Sequence, residues 1–353
     1  MAVDDPTAAA LAWLLASDEP AIRHLARRDL LGDGPEGSGE PRGGAPVDRA
    51  AAADAARVLE GPKVTALLAG QRPDGGFGVR PYSKWTGAHW RLVSLVELAA
   101  PAGEPRLLAA ASTVLDWLTG DAHRRTVRVV DGLARRCASQ EGNALAVACR
   151  LGMAGDPRAE LLARSLAGWQ WPDGGWNCDP RASGRRSSFH ESLPPAWGLH
   201  EYWLATGTTW AREAATRAAE LLLSHRLFRS LRDGAVIDRR WLRPRYPPYW
   251  HYDVLQALLV LSRLGLAHDP RAADALDLVA RLRRTDGRWW PSGYWWRPPG
   301  SQSGSGPVEV VDWGRSGPSE MLTLNALRVL RAGGVTPDAG RARPCSGPPG
   351  STG

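Results

Sequence analysis

Lysine is almost absent from this chain of 353 residues: Lys63 and Lys84 are the only two, and the other 42 basic residues are arginine. With alanine, glycine and proline also abundant, the bias is most simply that of a GC-rich genome. The formal charge is +7, yet the arginines are spread over most expected helices and form no stripe interleaved with aromatics, which argues against a nucleic-acid partner. Cysteine is scarce as well. Cys137, Cys149, Cys178 and Cys345 are widely spaced with no Cys-x-x-Cys pair, so neither a disulfide framework nor a clustered zinc site is expected, and the thiols read as reduced and structural. No apolar run approaches the ~20 residues that cross a bilayer, so the chain is expected to be soluble or at most in peripheral contact with a membrane. The opening residues Met-Ala-Val-Asp-Asp-Pro lack a basic segment followed by an apolar core, which points to the cytoplasm.

What the chain does have is an internal repeat. Gln71-Arg-Pro-Asp-Gly-Gly-Phe77, Gln170-Trp-Pro-Asp-Gly-Gly-Trp176 and Arg284-Thr-Asp-Gly-Arg-Trp-Trp290 each lie between two apolar helical stretches. Their aspartates, Asp74, Asp173 and Asp286, are 99 and 113 residues apart. That is about twice the 33 to 50 residues usual for a two-helix repeat, so each interval should hold two hairpins. Such units bury their apolar faces only by stacking on neighbours, which argues for one continuous array.

Read by the 3.6-residue period, apolar positions predict helices near 8–17, 20–31, 49–59, 62–70, 88–100, 106–118, 140–152, 156–168, 195–206, 209–226, 250–265, 269–284 and 319–332. Strands are hard to find. Leu-Gly at 151–152 and 264–265 is followed by Asp-Pro at 156–157 and 269–270, where Asp can cap and Pro can occupy the first turn of the next helix. The segment 32–47 and the tail 335–353 are rich in Gly and Pro and read as linker and tail, as does the loop 298–307. The expected organisation is N-terminal helices and linker in 1–60, then a repeat domain over 61–334. The N-terminal pair is either a cap or a sixth hairpin.

The turns have a physical logic, because Asp-Gly-Gly supplies positive-φ positions for a tight reversal and the next aromatic can plug the space between hairpins. The Gln ahead of the turn can reach across to the next unit. Gln170-Trp-Pro-Asp-Gly-Gly-Trp176 resembles the Gln-Trp repeat of squalene-hopene and oxidosqualene cyclases, and Asp-Gly-Gly-Phe77 is similar to turns of protein prenyltransferase β-subunits. The resemblance spans roughly residues 60–332 and implies an all-α fold, an α/α toroid of five to six helical hairpins. The family's catalytic motifs are a different matter. The Asp-x-Asp-Asp run of class II cyclases is missing, and Asp4-Asp5, the only adjacent Asp pair, has Ala8 where a magnesium-binding Asp-Asp-x-x-Asp needs its third acid. The segment comparable to the prenyltransferases' Asp-x-Cys zinc pair reads Trp85-Thr-Gly-Ala-His89, without Asp or Cys.

A ring of polar residues stands at the expected starts of alternate helices: His89, Glu141 with Asn143, His190 with Glu191, His251 with Asp253, and Glu320. In a toroid these starts should converge on one rim of a central cavity, where helix N-termini favour an anion such as a diphosphate. Taken singly, the acids are first-turn caps and each His a packed rim residue. Taken together, His251, Asp253, His190, Glu191, His89 and Glu141 are candidates for acid–base catalysis. His89, His190 and His251 form the one plausible three-nitrogen set for a divalent metal of the zinc or iron type. A catalytic rim predicts that His251→Ala or Asp253→Ala removes activity with little effect on stability.

Seventeen tryptophans are the second clue. Trp85, Trp90, Trp176, Tyr249, Trp250, Tyr252, Trp290 and Trp296 are candidates to line a cavity whose ring faces hold an apolar polyene and stabilise developing carbocations. Pro244-Arg-Tyr-Pro-Pro-Tyr-Trp-His-Tyr252 is the densest such segment and is expected at the cavity mouth. The expected function is therefore an isoprenoid-handling enzyme acting on a small apolar substrate or a prenyl diphosphate. A toroid that binds or scaffolds without catalysis is the alternative, and a polysaccharide-active toroid is the third.

Overall fold

The computed structural model describes residues 6–32 and 49–335, so linker residues 33–47, tail residues 336–353, Asp4-Asp5 and Cys345 lie outside the described residues. Helices dominate, as the periodicity predicts. They are α1 (Pro6–Leu15), α2 (Pro20–Ala26), α3 (Arg49–Ala56), α4 (Pro62–Leu68), α5 (Ala88–Glu97), α6 (Pro105–Thr119) and α7 (Asp121–Arg124). After them come α8 (Ser139–Arg150), α9 (Pro157–Trp169), α10 (Phe189–Thr206), α11 (Thr209–Ser224), α12 (Val254–Arg263), α13 (Ala273–Arg281) and α14 (Glu320–Ala332). Among the described residues the one sheet is a two-stranded antiparallel hairpin, β1 (Arg128–Val130) with β2 (Leu133–Arg135), in the connection from α6 to α8.

Contacts organise these helices into two series. One runs α5–α8–α10–α12–α14–α2, and the other runs α6–α9–α11 and on to the 3-10 turn Pro270–Ala272 that opens α13. Helix starts follow the capping logic of the sequence: Glu104, Asp156 and Asp269 each precede a proline and accept a hydrogen bond from the backbone N–H two residues on. The largest departure from the periodic reading is α10. It begins at Phe189, six residues before the expected start, and carries Pro194 and Pro195 inside it.

The repeated turns do what their residues require. The first glycine of each has positive φ, +82° at Gly75, +95° at Gly174 and +80° at Gly287. A Cβ there would lie 2.5, 2.4 and 1.8 Å from the carbonyl oxygens of Ala109, Arg217 and Pro6 respectively. Each turn therefore presses its backbone against a helix of another hairpin, α6, α11 and α1 in turn, and glycine alone permits both the turn and the approach. The third turn presses on α1, at the other end of the chain. Arg283 takes the place of the glutamine and donates to Thr7 Oγ1 at 3.1 Å. Arg328 pairs with Asp29, Nε to Oδ2 at 2.7 Å, and Arg331 donates to the Asp29 and Gly32 carbonyls. The N-terminal helices thus complete the last repeat, and Ala10, Leu14, Ile22 and Leu25 share one core with Leu322 and Val329.

Both glutamines reach across as expected. Gln71 Nε2 donates to the carbonyls of Gly75 and Arg106. Gln170 Nε2 donates to Gly174 O at 2.7 Å and Ala214 O at 2.8 Å, while its Oε1 accepts from Arg217. Gln170→Leu removes this link between turn and α11 and is expected to cost about 2 kcal/mol, read from the urea midpoint. The wedge aromatics are equally specific. Trp176 and Trp289 donate their indole N–H to the carbonyl ten residues back, Leu166 O and Val279 O. Phe77 has no such donor. There Arg91 lies over the Phe77 ring at 4.0 Å and donates to Leu67 O at 2.9 Å, supplying the missing bond.

Candidate functional site

Every connection into α5, α8, α10, α12 and α14 is long, whereas those leaving α5, α8, α10 and α12 are short. Loops therefore gather at the starts of one helical series. An aromatic-lined cavity lies there, with about 710 Å³ of empty space, part of it open to solvent. Its walls are helical stripes at 3.6-residue spacing: Trp90, Ser94 and Glu97 from α5, Leu193 and Trp197 from α10, Gln256, Val260 and Arg263 from α12. Asn143 of α8 joins them, and the loop Tyr246–Tyr252 covers them with three tyrosines and Trp250, as the density of that segment predicts.

Two histidines face this cavity. His190 Nδ1 accepts the backbone N–H of Tyr252 at 2.8 Å, so its neutral ring carries the proton on Nε2. His251 Nδ1 stands 3.2 Å from the carbonyl oxygen of Pro248, which only accepts, so its neutral ring is protonated at Nδ1 and leaves Nε2 with a lone pair. The His251 ring is stacked between Trp250 at 3.8 Å and Trp295 at 3.6 Å. Burial pushes the His251 imidazolium down to about 4 and lowers that of His190. Both rings are therefore neutral near pH 7, one offering a donor and the other a lone pair. At the far end of the stripes, Glu97 and Arg263 form a part-buried pair at 2.7 Å, and the arginine holds the carboxyl ionised against the effect of burial. Behind the loop, Tyr249 donates its hydroxyl to Glu309, and its ring stacks on Trp85 at 3.6 Å.

The other expected site residues lie elsewhere. His89 sits in a small apolar space among Leu92, Val114 and Val147, both ring nitrogens lack a partner, and burial lowers its titration to about 3. It does not join His190 and His251, so the three-histidine metal set is not assembled. Glu141 is buried in a network, its Oε1 accepting from Arg136 at 2.8 Å with His123 Nε2 at 3.1 Å; burial raises its carboxyl to about 7. Asp253 turns to the backbone. Its Oδ1 caps α12 by accepting from Gln256 N at 2.9 Å, and Oδ2 faces Arg245 N at 3.4 Å. Glu191 Oε2 accepts from Ser139 N at 3.0 Å, tying α10 to the start of α8, and Glu320 pairs with Lys63 at 3.1 Å. The rim is mainly a set of lateral links between neighbouring units.

Among the aromatics, Trp90, Tyr249, Trp250 and Tyr252 line the cavity. Trp176 is a wedge between hairpins, Trp85 backs Tyr249, and Trp296 is buried with its N–H on Tyr246 O. Trp290 is 40% exposed and outside the cavity. Trp197, Glu97, Arg263 and Gln256 were not anticipated, although their signal is in the sequence: each stands at helical spacing from a cavity residue on its own helix.

Cys137 and Cys178 come together with Glu191, although they stand 41 positions apart in the chain. The expectation of isolated structural thiols fails at these two. Cys149 fits it, with burial raising its thiol. No described helix is long and apolar enough to cross a membrane. Comparison of the chain with protein-family models, curated proteins and solved structures finds no match.

Proposed function

We infer that the chain is an α/α toroid that holds an isoprenoid in the cavity between α5, α8, α10 and α12 and acts on it as an enzyme. The toroid reading draws support from the two series of helix contacts and from α1 and α2 completing the last repeat. The observation that carries the activity is the cavity wall. Trp90, Trp197, Trp250 and Tyr249 line it with aromatic surface that suits an apolar chain, and each ring contact with a developing cation contributes roughly 0.5–2 kcal/mol.

The same cavity offers no strong acid. Glu97 is ionised and paired, so protonation of an alkene is the less natural first step. A neutral His251 with a free Nε2 suits the opposite transfer, accepting a proton from carbon next to a cationic centre while His190 Nε2–H donates a hydrogen bond. A basic residue at the far end, Arg263, suits an anionic head group only at the expense of its bond to Glu97.

Incubation with farnesyl diphosphate, geranylgeranyl diphosphate and squalene, with and without added divalent metal, tests this reading. Binding is followed by tryptophan fluorescence and products by mass spectrometry. His251→Ala is expected to abolish turnover while binding persists, and Trp250→Ala to weaken binding about tenfold. Failure of all three compounds to bind would sink the isoprenoid reading. Tight binding with no product would leave a carrier.

A further inference from the structure

We propose that Cys137, Cys178 and Glu191 bind one zinc ion, with a fourth position left for water or another small ligand. Three separate segments supply the ligands: Cys137 stands two residues ahead of α8, Cys178 follows the second repeated turn, and Glu191 is in the first turn of α10. One donor atom of each lies within 4.8 Å of the others, and Cys178 Sγ is 3.7 Å from Glu191 Oε1. Tetrahedral zinc with Zn–S near 2.3 Å and Zn–O near 2.1 Å separates such a sulfur and oxygen by about 3.6 Å, so the ligands need little movement.

The carboxylate is also held for the purpose. Glu191 Oε2 accepts the Ser139 N–H at 3.0 Å, which leaves Oε1 toward the thiols and fixes the rotamer in the way an outer-shell bond orients a metal ligand. Two thiolates and one carboxylate form a soft, negatively charged donor set suited to zinc and poorly suited to magnesium or calcium. Both cysteines are half-buried and Glu191 is buried, so the thiols remain within reach of solvent. Three protein ligands and an open position form the arrangement of zinc sites that bind a small molecule. The assignment stands apart from the isoprenoid reading, because neither cysteine lines the aromatic cavity.

Metal analysis of the reduced full chain, followed by cobalt(II) titration of the metal-stripped protein, tests it. About one zinc per chain is expected, with a thiolate-to-cobalt charge-transfer band on substitution. Cys137→Ser and Cys178→Ser should each weaken zinc binding at least tenfold and lose that band, whereas Cys149→Ser keeps both. Should a serine variant fold poorly, alkylation of the unaltered chain decides: zinc should slow modification of Cys137 and Cys178 and leave Cys149 unaffected. Absence of bound zinc with no thiolate–cobalt band would overturn the proposal, as would zinc loading indifferent to both serine variants. A Cys137–Cys178 disulfide in the chain purified without reductant, resisting reduction and metal loading, would overturn it too.

Discussion

Gly198→Ala is expected to destabilise the fold by about 2–3 kcal/mol, read as a lower denaturant midpoint with little change in slope. A Cβ at Gly198 would lie 2.3 Å from the Gly142 carbonyl oxygen, and one at Gly142 would lie 2.4 Å from Pro195 N. Both obstacles are backbone, so no side-chain rotation relieves them. α8 and α10 share the most extensive contact of any two helices described, and the same two helices hold Asn143 and His190 at the cavity. Separating them would also move Glu191 away from Ser139. Gly168→Ala is the control. It stands near the end of α9 with nothing within 4 Å of its Cβ and a φ that alanine adopts, so the same change is expected to be neutral or to stabilise by up to about 1 kcal/mol. Equal losses at both positions would mean that the close approach is not what glycine provides.

The contrast explains how far the sequence could be read. Periodicity and caps locate the helices to within a few residues, because each of those signals is local. α10 is the exception, and for a local reason: Pro194 and Pro195 look like a helix break. In the fold the helix continues through them, and Pro195 N lies on the side where Gly142 packs, so the absent N–H leaves room for the neighbouring backbone. The three Asp-Gly turns were legible for the same reason as the caps. The site was legible only in part. His89 and His190 are each the second residue of their helix, α5 and α10, yet one ends in an apolar layer and the other in the cavity. What differs is the cover. α8 closes over His89, whereas Trp250 and Tyr252, from a long connection with no period, stand over His190. Cys137 and Cys178 were hidden in the same way, since only the packing of α8 against α10 brings them within reach.

Asp253→Asn is expected to remove a large pH dependence of stability, and here the structure shifts attention from catalysis to folding. The carboxyl is 5% exposed, and burial raises it from 3.8 to about 7 despite the N–H groups of Gln256, Arg245 and Leu255. A folded-state value above the unfolded one means that the neutral acid is favoured in the fold. Its contribution is therefore fully present below pH 3.8 and is lost as pH rises through about 7. Across that whole window the shift corresponds to about 4 kcal/mol, of which roughly 2–3 kcal/mol falls between pH 5 and 8. Asparagine keeps an acceptor for Gln256 N and is itself a good N-cap, but its amide meets the Arg245 N–H at a cost of about 1 kcal/mol. The variant should thus be less stable than the parent at pH 3, where the carboxyl is neutral in both the folded and the unfolded chain, and more stable at pH 8. His190 and His251, whose imidazolium forms are disfavoured by burial, lose stability in the opposite direction as pH falls below 6.5. They are present in both proteins, so the difference between the two denaturation curves isolates Asp253. Parallel pH profiles would show that this carboxylate is ionised in the fold at neutral pH, and would return it to the candidates for chemistry at the cavity mouth.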